Sequence, residues 1–251
     1  MLFRSVHGEL VGRLRAAVPY ELTGAQQRAI AEIERDLGGP HPMHRLLQGD
    51  VGSGKTVVAL YALLRAVEHG RQGALMAPTE TLAEQHFLTI EELCAPLGVR
   101  VSLLTSSLRA KEHALVRQLV ASGDAQVVVG THALIQKEVD FSDLAVAVVD
   151  EQHRFGVAQR SALVEGRSPH VLHLTATPIP RTLALTVYGD LEVSELALPP
   201  ANRKPVITAW VTEERSSEAY TRLRRHLDEG RQAYVVCPLI EESETRIARA
   251  A

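Results

Sequence analysis

The eight residues Gly49-Asp50-Val51-Gly52-Ser53-Gly54-Lys55-Thr56 constrain the fold more than any other stretch of the chain. They satisfy the spacing G-x-x-x-x-G-K-[ST], and an apolar segment, Arg45 to Gln48, leads into them while an amphipathic one leads out. A strand that turns through glycines into a helix start aims successive backbone N–H groups at one point, which is how a polyphosphate is surrounded. Side chains at Gly49, Gly52 and Gly54 would block that approach, and Ser53 between them is small. Lys55 is placed to reach the β- and γ-phosphates, and the Thr56 hydroxyl to take a Mg²⁺ coordination position.

The rest of the chain repeats the same alternation. Strands are expected at Arg45 to Gln48, Ala74 to Ala77, Val101 to Thr105, Gln126 to Val129, Leu144 to Val149 and Val171 to Leu174. Helices are expected at Gly24 to Leu37, Lys55 to His69, Thr81 to Cys94, Ala110 to Ser122 and Val157 to Val164. Short apolar, β-branched runs separated by longer amphipathic ones describe an α/β fold, a parallel sheet with helices on both faces. The first 19 residues read as a connecting segment, and 20–198 as one domain. A linker is expected over 199–205, where prolines and cations gather with little to bury. Beyond it Val206 to Val211 and Ala233 to Cys237 read as strands around a helix from Ser216 to Glu229. About 45 residues holding so few elements fall short of a self-sufficient core, so 206–251 reads as the truncated start of a second domain.

Charge and cysteine content exclude several classes. Lys and Arg total 27 against 30 Asp and Glu, so overall charge cannot draw in a nucleic acid and any basic footprint must be local. Cys94 and Cys237 are the two cysteines and have no metal-ligand spacing, which excludes a disulfide framework or a zinc site of cysteines. No apolar run approaches the roughly 20 residues of a membrane span, and a cytoplasmic protein with no membrane partner is expected.

A second candidate site is Leu144 to Glu151, an apolar strand ending in two acids. Asp150 at the tip would bind Mg²⁺ through its water shell, and Glu151 would polarise a hydrolytic water. Adjacent acids after a strand also begin helices, so the pair alone fits either reading. It gains meaning beside the phosphate loop, with Lys55, Asp150 and Glu151 as the catalytic candidates.

From about Tyr20 onward the chain resembles the superfamily 2 helicases of the DExH type, and within them the RecG family of ATP-dependent DNA helicases. The likeness rests on motifs in family order: Leu22-Thr23-Gly24-Ala25-Gln26, the phosphate loop, Ala77-Pro78-Thr79-Glu80, Gly130-Thr131-His132, Asp150-Glu151-Gln152-His153 and Thr175-Ala176-Thr177. GDVGSGKT with DEQHRFGVAQR and TATPIPRT is similar to RecG. The transcription-repair coupling factors share TATPIPRT and an RFGV segment but usually carry D-E-E-Q, so His153 favours RecG. The resemblance implies RecA-like P-loop domains with ATP between them, and a motor that remodels branched or forked DNA in recombination and repair. It implies that Gln26 bonds adenine, and that Pro78, Thr79, Thr131 and His132 touch the backbone of the tracked strand. It also implies that His153, Thr175, Thr177 and Arg181 couple the ATP and DNA sites. Taken alone, Gln26 also fits a polar residue on an exposed helix face, and Pro78 and Thr131 fit ordinary turn chemistry.

A complete RecG adds an N-terminal wedge domain and a full second motor domain with an arginine finger, and neither is read here. The expectation is therefore nucleotide binding without translocation. Two other readings stay open on the residues: a P-loop enzyme that is not a nucleic-acid motor, such as a nucleotide kinase, and a binding module that has kept its ATPase residues by descent.

Overall fold

The computed structural model describes residues 8–136, 138–151, 168–177, 191–196 and 206–236. The chain divides into two compact units, Met1–Arg203 and Lys204–Ala251. The first unit opens with α1 (Glu9–Ala17) and α2 (Gly24–Leu37), followed by β1 (His44–Gly49), α3 (Lys55–Glu68), β2 (Gln72–Met76) and α4 (Glu80–Cys94). It continues with β3 (Val101–Leu104), α5 (Ala110–Ser122), β4 (Val127–Gly130), β5 (Leu144–Asp150), β6 (His170–Thr175) and β7 (Glu192–Leu196). The strands form one seven-stranded sheet in the order β3-β4-β2-β5-β6-β1-β7, every neighbour parallel.

The strand sequences read as nearly continuous apolar runs because both faces of the sheet are covered. Leu75, Val127, Val129, Val146 and Val148 join one core, with α1 to α4. Their alternate neighbours Ala74, Met76, Val128, Ala147 and Val149 join a second, with Val120, Leu134 and Phe141. Helix α3 is apolar all round, buried from Val57 to Val67, because it packs against α1 and α2 on one side and against β1, β2 and β5 on the other. Arg65, in its last turn, is buried at 2 % exposure. Its guanidinium pairs with Glu34 of α2 (2.9 Å) and Glu68 (2.5 Å), and Glu68 also accepts from the Val11 N–H of α1 (2.9 Å). The charge thus holds three helices in register, and removing one partner of such a buried pair costs about 3–5 kcal/mol.

The six expected strands and the four expected helices between residues 24 and 122 are present; the helix expected at Val157 to Val164 lies outside the described residues. Among the described residues, one helix and one strand of the first unit were not expected. Helix α1 lies in the segment read as a connector, and buries only Val11 and Leu14. Strand β7 pairs with β1 and is polar enough to resemble a loop, with Glu192 and Glu195 exposed and Ser194 and Leu196 buried.

The strands expected at Val206 to Val211 and Ala233 to Cys237 are corrected by the structure as far as Val236, Cys237 lying outside the described residues. Residues 206–212 and 231–236 have no strand structure, and the second unit's described elements are a short 3₁₀ turn, Glu213–Arg215, and α6 (Ser216–Asp228). Ile207 (93 %), Trp210 (92 %) and Val236 (92 %) are open to solvent. A β-branched run becomes a strand only where another strand completes its hydrogen-bond ladder, and these runs have no such partner among the described residues.

One buried group makes the fold acid-sensitive. His170, at the start of β6, accepts the Met43 N–H at Nδ1 (3.0 Å). Burial, with a smaller contribution from Arg71, depresses its pKa from 6.5 to about 4. The unfolded chain therefore takes up a proton near pH 6.5 that the folded chain refuses until about pH 4, so stability is lost as pH falls through that window. The loss is roughly 3 kcal/mol at most. Urea unfolding at pH 7 and pH 4.5 should show it, and His170→Asn, which keeps an acceptor but cannot titrate, should flatten the difference. An equal acid loss in both proteins would assign it to other groups.

Candidate nucleotide and nucleic-acid site

The chemistry gathers at the C-terminal ends of the strands, where open parallel sheets bind ligands. Strands β5, β6 and β1 are neighbours, and their register sets Asp150 opposite Leu174 and Gln48 opposite Thr175. The acid pair, the Thr175-Ala176-Thr177 turn and the phosphate loop thus leave adjacent strand tips. Motifs about a hundred positions apart in sequence meet because the parallel register fixes where each strand ends.

Within the phosphate loop, the Ser53 N–H donates to the Asp50 carbonyl (3.1 Å) and the Val51 N–H to the Asp50 carboxylate (2.8 Å). The N–H groups of Gly52, Gly54, Lys55 and Thr56 donate to nothing among the described residues. These four open donors form a concavity for an anion, reinforced by the start of α3. Gly54 adopts φ +84°, and a Cβ there would collide with the Gln26 amide. A Cβ on Gly49 would lie 2.6 Å from Ser53 Oγ, which is itself buried without a hydrogen bond among the described residues.

Lys55 Nζ lies over the loop, donating to the carbonyls of Gly49 (2.6 Å) and Asp50 (3.1 Å). Partial burial pulls its pKa below the usual lysine value, and the carboxylates of Asp150, Glu151 and Asp50 oppose that shift. Glu151 has φ +48°, the one positive φ outside glycine among the described residues. A left-handed glutamate costs on the order of 1 kcal/mol, and such strain collects where geometry serves chemistry.

Gln26 is not on an exposed face. It is 2 % exposed and closes a reciprocal cap with Thr23: its N–H donates to Thr23 Oγ1 (3.2 Å) and its Oε1 accepts the Thr23 N–H (2.8 Å). Its Nε2 donates to the Ser53 carbonyl (2.8 Å). It therefore braces the phosphate loop, with one N–H and one lone pair to spare.

The other expected loops lie at the β2 and β4 tips. Pro78 is half-buried and Thr79 is exposed, with Thr79 Oγ1 capping α4 through the Leu82 N–H (3.3 Å). Thr131 is 2 % exposed with its hydroxyl unpaired among the described residues, so this loop presents His132 to solvent instead. His132 Nε2 lies 3.4 Å from Ser106 Oγ, and Glu80 accepts the Ser107 N–H (3.0 Å). The loop after β3 thus joins the cluster, which the sequence reading did not include. Thr175 and Thr177 share a hydroxyl hydrogen bond (2.9 Å) that holds their turn. His153 and Arg181 lie outside the described residues.

One site neighbour was missed altogether. His86 of α4 places Nε2 2.8 Å from Asp150 Oδ2. The available signal was a histidine in the spacing Ala83, His86, Ile90, a helix stripe whose flanking members are both buried.

A seven-stranded parallel sheet with a phosphate loop at one strand tip and paired acids two strands away defines a RecA-like P-loop domain. The DEAD/DEAH box helicase family model matches residues 23–186, and the chain belongs to that family. Its relatives within it include the ATP-dependent DNA helicase RecG of Escherichia coli (strain K12), 51% identical over 98% of this chain and 36% of the relative. The ATP-dependent DNA helicase RecG of Synechocystis sp. is 49% identical over 98% of this chain and 30% of its own length. The structure of RecG bound to a three-way DNA junction superposes with a TM-score of 0.81 at 41% identity, over 94% of this chain and 32% of that one. The chain spans about a third of the length of these relatives. No helix among the described residues is long and apolar enough to cross a membrane.

Proposed function

We propose that this chain is the ATP-binding motor domain of a RecG-like helicase acting on branched or forked DNA in the cytoplasm. The observation that carries the reading is the phosphate loop: four open N–H donors and Lys55 in a loop two strands from the tip that bears Asp150 and leads to Glu151. Gly49, Gly52, Ser53, Gly54, Lys55 and Thr56 cradle the phosphates, and Gln26 holds the loop while offering its spare hydrogen-bonding capacity to adenine. The donor set suits Mg²⁺, which favours oxygen ligands and takes few from the protein: the Thr56 hydroxyl and the Asp150 carboxylate, whose side chain keeps 11% exposure. Mg²⁺ held there would neutralise charge developing on the phosphates. Glu151 accepts the proton of the attacking water.

Pro78, Thr79 and His132, with the Thr131 turn beneath, offer a track at the other end of the same sheet edge for the sugar-phosphate backbone. Contacts of that kind position a strand without reading its sequence. Thr175 and Thr177, at the tip of the strand between Asp150 and the phosphate loop, sit where a change at ATP can be passed on, and His153 and Arg181 are assigned to the same relay. The junction-bound RecG structure supports branched DNA as the partner.

This chain alone is expected to bind ATP and to leave a three-way junction intact. The same residues within a protein of the relatives' full length should unwind it. Calorimetry for the first and gel separation of a labelled junction for the second test both halves. ATP-dependent unwinding by these 251 residues alone would refute the division of labour.

A further inference from the structure

We infer that His86 is a positioning residue for Asp150, fixing the carboxylate that serves the divalent cation; the inference rests on the nucleotide reading above. Helix α4 is anchored by Ala83, Ile90 and Cys94, all buried, and His86 lies on the same side of the helix as Ala83 and Ile90. Along that stripe an aliphatic residue would have suited the core. At this height, however, the helix faces the end of β5, and an aliphatic side chain would strip water from Asp150 and return no hydrogen bond, a costly exchange for a carboxylate. His86 instead meets Asp150 Oδ2 at 2.8 Å, with both side chains mostly buried at 15% and 11% exposure. A carboxylate can only accept, so Nε2 carries the proton and donates.

That bond has two effects. It holds the Asp150 carboxylate in one orientation at the strand tip. It also uses one acceptor site of Oδ2 and leaves the Oδ1 side of the carboxylate to face a metal's water shell. Partners behind a ligating carboxylate typically change metal affinity about 10- to 100-fold when removed. Lys55 and the phosphate-loop donors are separate from this contact, so the bare nucleotide should not sense the loss of His86.

The test is calorimetric titration of ATP into the parent chain, His86→Ala, His86→Leu and His86→Gln, each in Mg²⁺ and in EDTA. Electron paramagnetic resonance of bound Mn²⁺ supplies a direct reading of cation affinity. His86→Ala and His86→Leu should lose about tenfold or more in Mn²⁺ affinity and lose the gain in ATP affinity that Mg²⁺ brings, while affinity in EDTA stays at the parent value. His86→Gln, which can present an N–H near the position of Nε2, should recover most of both. Leu fills the space of the ring, so it reports on the donor even if Ala unfolds the helix end. Unchanged metal dependence in Ala and Leu would overturn the role of His86 and leave the nucleotide reading standing. So would an equal loss in Mg²⁺ and in EDTA, which would mark a packing residue. A parent chain that binds no ATP under either condition would overturn the nucleotide reading itself.

Discussion

Glu151→Gln is expected to lower ATP turnover by about 10²- to 10⁴-fold while leaving ATP affinity within about twofold, measured in a protein carrying the full length of the relatives. The amide matches the carboxylate in shape and fits the same left-handed backbone (φ +48°), so the strand tip should not move. What it loses is the capacity to accept a proton from water. Asp150→Asn should behave differently: its carboxylate contacts His86 and is assigned to the cation, so its loss should weaken Mg²⁺-dependent binding as well as turnover. If Glu151→Gln abolished binding while Asp150→Asn kept both binding and turnover, the two assignments would have to be exchanged or dropped.

Lys55→Ala should weaken ATP binding to the isolated chain by about 10- to 100-fold, the equivalent of a charge-assisted hydrogen bond of about 1.5–3 kcal/mol. The structure adds a consequence that the motif does not. Lys55 closes the loop on itself through the Gly49 and Asp50 carbonyls, so the substitution also removes two hydrogen bonds from the empty protein. Because the side chain is only partly buried, that should cost on the order of 1 kcal/mol of stability. Thermal unfolding of the two proteins separates the terms: a small change in midpoint beside a large change in ATP affinity is the expected pair. Equal affinity in mutant and parent, read by calorimetry, would sink the assignment of the phosphate loop.

The two assignments differ in how much of them could be read before the fold was known. Lys55 and its glycines were legible because a phosphate loop is local: strand, turn and helix start are all encoded within about a dozen residues. Asp150 and Glu151 were legible only in company, since an acid pair after a strand has ordinary uses. The covered strands announced themselves as unbroken apolar runs, because both faces of Leu144 to Val149 and Val127 to Val129 are buried and no alternation was needed. Strand β7 did not. At an edge its exposed glutamates and buried Ser194 carry little strand character, and only its pairing with β1 makes it a strand. Helix α1 was missed for a related reason: Val11 and Leu14 are a small apolar face, and α1 is held through Glu68 on α3, a residue 57 positions from Val11.

The opposite error arose at Val206 to Val211 and Ala233 to Val236. Their composition favours a strand, yet propensity contributes far less than a ladder partner, and none is present among the described residues. Gln26 and His86 show the same dependence within the site. One reads from sequence as a polar surface residue or an adenine ligand and is found bracing the Ser53 carbonyl; the other was not singled out in the sequence and is found on Asp150. The sequence by itself determined the α/β class, the phosphate loop and the identity of the acids, because those follow from local spacing and apolar runs. Tertiary structure alone decided which runs became strands, which motif tips became neighbours and which polar side chains brace the phosphate loop and Asp150. Those outcomes depend on partners that parallel register and helix packing bring together, as with Ser53, 27 positions from Gln26, and Asp150, 64 positions from His86.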